Sequence, residues 1–174
     1  MNEWRRTRPQ PDEYNPYFDR YISRVPEADI IDVLGSQIEE TVALLKDLPE
    51  TMGGHRYAPD KWSIREVVNH LSDTERLFAF RALWFARGFD SPLPSFEQDI
   101  AVREARADER PWSNLLDDFE AVRGATVTFF SNRPAEAWTR RGIASGNPFS
   151  VRALAYIAAG HTAHHMRLLR EQYL

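Results

Sequence analysis

There is no cysteine in this 174-residue chain. Its absence excludes disulfides, a thiolate nucleophile and sulfur ligation of a metal, and it suits a reducing compartment. Long apolar runs are missing too. The longest, around Ala153–Ala159, is far too short to span a bilayer. The start, Met1-Asn2-Glu3-Trp4-Arg5-Arg6, lacks the apolar stretch of a secretory leader. A cytoplasmic protein with no membrane partner is therefore expected. Basic excess is absent: 22 Lys and Arg against 26 Asp and Glu give a net charge of −4. That balance argues against a broad nucleic-acid surface, and no nucleic-acid partner is expected. Arg5, Arg6 and Arg8 read as a small solvated cluster. The glycines are scattered and form no Walker, Rossmann or Gly-x-Ser-x-Gly pattern. No repeat and no alternating strand pattern stands out. Any strand should be short, within the Trp138–Ile143 connection.

What the chain has is helical periodicity. Residues 1–26 are rich in proline and carry Trp4, Tyr14, Tyr17 and Phe18. They read as an extended N-terminal arm laid over the body, with its aromatics covering apolar surface. Residues 27–174 read as a single domain. Within it, apolar residues recur at helical spacing from Asp29 to Leu48. Ser63 and Glu66 form a capping box before a second helix that runs to Gly88, with Trp62 placed to staple onto Val67. After an irregular stretch holding a short helix at Glu97–Arg106, a third long helix spans Trp112–Ser131. Ser150 can cap a fourth from Val151 to Tyr173. Four long amphipathic helices make an all-α four-helix bundle the expected fold.

The chemistry concentrates in Gly160-His161-Thr162-Ala163-His164-His165. His161 and His165 are four residues apart, so on a helix their Cβ atoms stand about 5–6 Å apart on one face. Projected at about 100° per residue, both fall inside the apolar arc of Val151, Leu154, Ala158, Leu168 and Leu169. His164 falls at the arc's edge. A lone core-facing histidine is usually a satisfied core residue. Two at this spacing need two sets of buried partners, or one metal ion with bonds of about 2.0–2.1 Å. A third imidazole from another helix would leave an open position, the layout of a catalytic site. His70 lies on the flank of the second helix with Thr74, Leu77 and Arg81, where it could reach an inter-helix cleft. Imidazole ligands must be neutral, so protons should compete with the ion as pH falls below about 6.5. The His-Glu-x-x-His pattern is absent because Thr162 stands at the Glu position, and no paired Glu-x-x-His supplies a di-iron site.

The segment Lys61-Trp62-Ser63-Ile64-Arg65-Glu66-Val67-Val68-Asn69-His70-Leu71-Ser72-Asp73-Thr74-Glu75 resembles the second-helix motif of the DinB/YfiT-like superfamily. Gly160 to His165 resembles its last-helix motif, and Pro94-Ser95-Phe96-Glu97-Gln98-Asp99 also looks like the family. The resemblance covers roughly Asp29 to Tyr173. It implies up-down-down-up connectivity, often a homodimer, and one divalent metal held by His70, His161 and His165. Zinc or nickel is the implied ion. It further implies a small-molecule substrate and a low-molecular-weight thiol cosubstrate such as glutathione, mycothiol or bacillithiol.

Three activities stay open at this level: a thiol-dependent S-transferase, a hydrolase using metal-bound hydroxide, and a non-catalytic metal-binding module. Asp73, Glu75, Asp99 and His164 are candidates for supporting the ligands, with Glu75 expected to pair with an arginine. Leu71, Phe78 and Leu154 are the expected apolar walls of the site.

Overall fold

The computed structural model describes residues 3–174. Met1 and Asn2, which open both the arm and the leader reading, lie outside the described residues. Six α-helices and one hairpin follow in order: α1 (Asp19–Ile22), α2 (Ile30–Leu45), α3 (Ile64–Ala86), α4 (Gln98–Ala105), α5 (Trp112–Ser131), β1 (Arg141–Ala144), β2 (Asn147–Ser150) and α6 (Val151–Leu168). Wider helical turns continue α6 through Leu169–Tyr173. The helix starts are set locally. Asp29 accepts from Ile31 N, and Ser150 accepts from Ala153 N. Ser63 accepts from Glu66 N while the Glu66 carboxylate accepts from Ser63 N, completing the capping box.

The long helices α2, α3, α5 and α6 form the bundle. Their directions follow from two apolar clusters, one at each end. One holds the start of α2, the ends of α3 and α5, and the start of α6: Ile30, Phe85, Phe130 and Leu154. The other holds the end of α2, the starts of α3 and α5, and the end of α6: Leu45, Ile64, Leu115 and Met166. The order is therefore up, down, down, up. Parallel α3 and α5 require a long return, which is the segment containing α4. Leu93 in that return pairs with the hairpin, donating to Ile143 O at 2.9 Å.

The hairpin extends past the Trp138–Ile143 stretch expected for a strand. Its register pairs Arg141 with Ser150 and Ala144 with Asn147. Ser145 and Gly146 turn between the strands with φ of 51° and 73°. Two left-handed residues give the twist a tight hairpin needs.

The arm crosses the body in short 3-10 turns and α1. Trp4, Tyr14 and Phe18 cover apolar surface, with Trp4 4.7 Å from Trp138 and Phe18 5.3 Å from Phe149, ring to ring, while Tyr17, expected with them, is exposed. Buried Glu13 accepts from Ser150 Oγ and pairs with Arg152, fastening the arm to the start of α6. The basic cluster is not simply solvated. Arg5 donates to Ser131 O and Arg8 to Ile22 O, each at 2.9 Å, because carbonyls left open by turns and helix ends need donors.

Gly160 is where the arm and α6 meet. A Cβ there would stand 2.1 Å from Tyr21 O, a backbone atom that cannot step aside alone. Gly160→Ala is expected to lower stability by about 1–3 kcal/mol in urea unfolding, the range for overpacking. Gly35, on α2, has nothing within 4 Å of the same position. Gly35→Ala should instead raise stability by up to about 1 kcal/mol, since alanine is the better helix former. Equal effects from the two substitutions would refute the steric account.

Candidate metal centre

The second helix of the bundle, α3, supplies His70, and α6 supplies His161 and His165. All three are buried, and each offers a ring nitrogen within 4.8 Å of the others, close enough to hold one ion. His161 Nε2 is 3.2 Å from His70 Nε2 and 3.2 Å from His165 Nε2. A ring nitrogen has one in-plane hydrogen or one lone pair, so Nε2 of His161 cannot satisfy both neighbours by hydrogen bonding. A cation accepts all three lone pairs. Two nitrogens bound tetrahedrally to one ion at about 2.0–2.1 Å are themselves about 3.3 Å apart, which matches the observed contacts. The residues present therefore fit a single divalent ion.

Thr74, one helical turn beyond His70, fixes which His161 nitrogen faces the cluster. Its hydroxyl donates to His70 O at 2.7 Å. That leaves Oγ1 as the acceptor toward His161 Nδ1, 3.4 Å away. The proton then sits on Nδ1 and Nε2 presents a bare lone pair, the form a metal ligand needs. Packing orients the other two rings. Trp62 lies 4.7 Å from His70, so the residue expected as a staple also packs on an imidazole of the cluster. His165 is held between His161 at 4.5 Å and His164 at 5.1 Å. Its Nδ1 is buried with no partner among the described residues.

Burial decides the protonation state. Desolvation lowers the His70 pKa to about 4. His161 and His165 are pushed well below the ordinary histidine range by burial first and by neighbouring imidazoles second, His165 acting most on His161 and His70 most on His165. All three are neutral at pH 7. Proton competition for these nitrogens therefore sets in below the pH of about 6.5 expected for unperturbed imidazoles.

His70 and His161 open onto a cleft of about 190 Å³. Its α3 wall is His70, Thr74, Leu77, Phe78 and Arg81, extending the flank stripe read from the sequence. The arm contributes Phe18 and Tyr21, and the return segment contributes Phe96. Phe78 is a wall as expected. Leu71 and Leu154 are not: both are packed in the bundle core, because their angular positions aim them at facing helices.

The carboxylate candidates lie elsewhere. Glu75 forms an ion pair with Arg123, with Oε1 2.9 Å from Nε and Oε2 3.0 Å from Nη2. Asp73 accepts from Asn69 and faces Arg76, and burial raises its pKa. Asp99 is exposed on α4. None of the three hydrogen-bonds a histidine of the cluster. His164 is half-buried, outside the ligand group, and lies with Arg24 and Arg167.

Two residues escaped the sequence reading. Thr74 was visible only as a neighbour on the His70 stripe. Arg123 sits among Leu116, Phe119, Thr126 and Phe130 at helical spacing, and a charge inside an apolar arc was its signal.

Together these features define a helical bundle with a buried three-histidine centre at the wall of an aromatic cleft. The chain belongs to the DinB superfamily, whose profile matches residues 34–169. Its fold is similar to that of YfiT from Bacillus subtilis, described as a probable metal-dependent hydrolase with an unusual four-helix bundle topology. The two are 13% identical, with a TM-score of 0.68 over 94% of this chain and 92% of YfiT. It is also similar in fold to a mycothiol-dependent maleylpyruvate isomerase, at 9% identity and a TM-score of 0.68. There the match covers 83% of this chain but 61% of the isomerase, so the chain spans less than two thirds of that protein. No curated protein matches the chain. No helix of the described residues is long and apolar enough to cross a membrane.

The depressed imidazole pKa values make a stability prediction for metal-free protein. The folded state binds fewer protons than the unfolded one between pH 6.5 and about 4 at His70, so stability must fall as pH drops through that window. His70 alone contributes about 3 kcal/mol at neutral pH that is lost by the bottom of the window. His161 and His165 add to it with the same sign. Urea unfolding of chelator-treated protein should show this loss, with a shallower slope in His70→Gln. Identical slopes would contradict the burial effect.

Proposed function

We propose that the protein is a metal-dependent S-transferase that activates a small thiol for attack on an electrophilic substrate. The observation that carries this reading is the convergence of three neutral imidazole nitrogens at the wall of a cleft. The chain has no cysteine, so any thiol must come from solution. His70, His161 and His165 would hold the ion. When bound, the ion supplies charge that favours the deprotonated form of a ligand thiol. Zinc or nickel suits imidazole donors.

The chain's own residues do the rest. Thr74 holds His161 in the tautomer that offers Nε2. Burial keeps the imidazoles unprotonated, and the Trp62 ring restricts His70. Tyr21 and Phe18 of the arm and Phe96 of the return narrow the cleft and limit water.

A hydrolase acting on water at the same site is the second reading, favoured by the likeness to YfiT. The cleft bears on the choice. No carboxylate lines it among the described residues, so no Asp or Glu stands ready to take a proton from water. A thiol needs less help, since its pKa of about 8.5 lies far below that of water.

Elemental analysis of purified protein should find close to one divalent ion per chain, as expected for one tetrahedral site. His161→Ala should lose it and His164→Ala should keep it. Equal metal content in wild type and His161→Ala would remove the basis of the proposal.

Activity is tested by conjugating a model electrophile with glutathione, mycothiol or bacillithiol. Acceleration with at least one thiol, abolished by chelation and by His161→Ala, is the expected result. Metal-dependent ester or amide hydrolysis with no thiol requirement would establish the hydrolase instead. Inactivity in both assays would leave a metal-binding module.

A further inference from the structure

Three arginines are buried among the described residues: Arg65, Arg81 and Arg123. Arg65 pairs with Glu50 and Arg123 with Glu75. Arg81 has no carboxylate partner among the described residues, although it is only 4% exposed. Its hydrogen bonds both come from Nη2, to Pro94 O at 3.0 Å and Ser145 Oγ at 2.9 Å. Both acceptors are neutral. Nε is buried with no partner among the described residues. A guanidinium carries five N–H donors and stays charged at neutral pH, so this one holds an unbalanced charge and unused donors. Burial lowers its pKa, the sign of a cation short of compensation.

Arg81 stands in the wall of the cleft that holds His70 and His161, with Leu77, Phe78 and Phe96 around it. It is the one Lys or Arg among the cleft residues. We infer that Arg81 anchors a carboxylate: the cleft takes a small organic acid with an apolar or aromatic body, its acid group on the guanidinium and its other end toward His70 and His161. The planar fork of arginine matches a carboxylate. A phosphate would bring a larger charge than one guanidinium balances, and the cleft offers no second cation. The aromatic walls suit the body of such an acid, and an apolar body would displace water from around the pair, strengthening it. The acid would be the electrophilic substrate of the proposed transfer, and in that respect the inference rests on that reading. Binding at Arg81 is testable without it.

The probe is benzoate, with benzamide as its uncharged match, titrated calorimetrically into protein as purified and after chelator treatment. Benzoate should bind in both states and benzamide at least about tenfold more weakly, as loss of a charge-assisted hydrogen bond implies. Arg81→Gln should bring benzoate down to the benzamide level, and Arg81→Lys should retain part of the preference. Thermal unfolding of each variant separates anchoring from strutting, because Arg81 also ties the return segment to the hairpin turn. A variant that loses stability but keeps benzoate affinity would make Arg81 a strut and overturn the inference. So would equal affinity for benzoate and benzamide, or benzoate binding that disappears with the metal. A protein that binds benzoate through Arg81 yet never carries metal would sink the metal-centre reading and leave this one standing.

Discussion

The arrangement depends on one buried ion pair. The Arg123 guanidinium, on α5, is fully buried and faces the Glu75 carboxylate of α3. It also donates to Gln37 Oε1 of α2 and Thr162 Oγ1 of α6, each at 2.6 Å, and Gln37 in turn donates to Ala159 O at 2.9 Å. Every helix of the bundle supplies a partner. Breaking such a pair by removing one member typically costs about 3–5 kcal/mol, because the other charge stays buried without compensation. Apolar packing tolerates rotation of a helix about its axis far better than a fork of directed hydrogen bonds does. The network therefore sets the angular positions of α3 and α6.

The histidine cluster inherits that setting. Thr162 follows His161 in the chain, and Glu75 follows Thr74. Fixing Glu75 and Thr162 against Arg123 presents the residues just before them, Thr74 and His161, to each other across the same interface. The contact between Thr74 Oγ1 and His161 Nδ1 then selects the tautomer. A structural ion pair and the contact that orients His161 thus share one interface, offset by one residue on each helix.

The arm adds burial. Tyr21 places its ring 5.2 Å from His161, and its backbone sits against Gly160, one residue before that histidine. Close approach of chain to helix is possible only because Gly160 lacks a side chain. Low solvent access keeps the imidazoles neutral and withholds water from Arg81, which has no carboxylate partner among the described residues. The two effects have one cause and opposite chemical consequences, a set of free lone pairs at one end of the cleft and a set of free donors at another.

The sequence by itself determined the helices, because capping residues and apolar spacing act within a few residues of chain. The capping box at Ser63 and Glu66, the span Trp112–Ser131, and the inward aim of His161 and His165 all follow from local periodicity. The hairpin was less legible: its turn is Ser145-Gly146, and a single glycine is a weak signal for two left-handed residues. Only the tertiary structure decided that His70 meets the α6 pair, since its own angular position pointed to a flank and the neighbouring helix supplied the rest. It also decided that Glu75 serves Arg123, that Asp73 and Asp99 stand apart from the histidine cluster, and that Arg81 has no counter-charge among the described residues. A residue's partner is set by whatever packs across from it, over distances in the chain that no periodicity of 3.6 residues can encode.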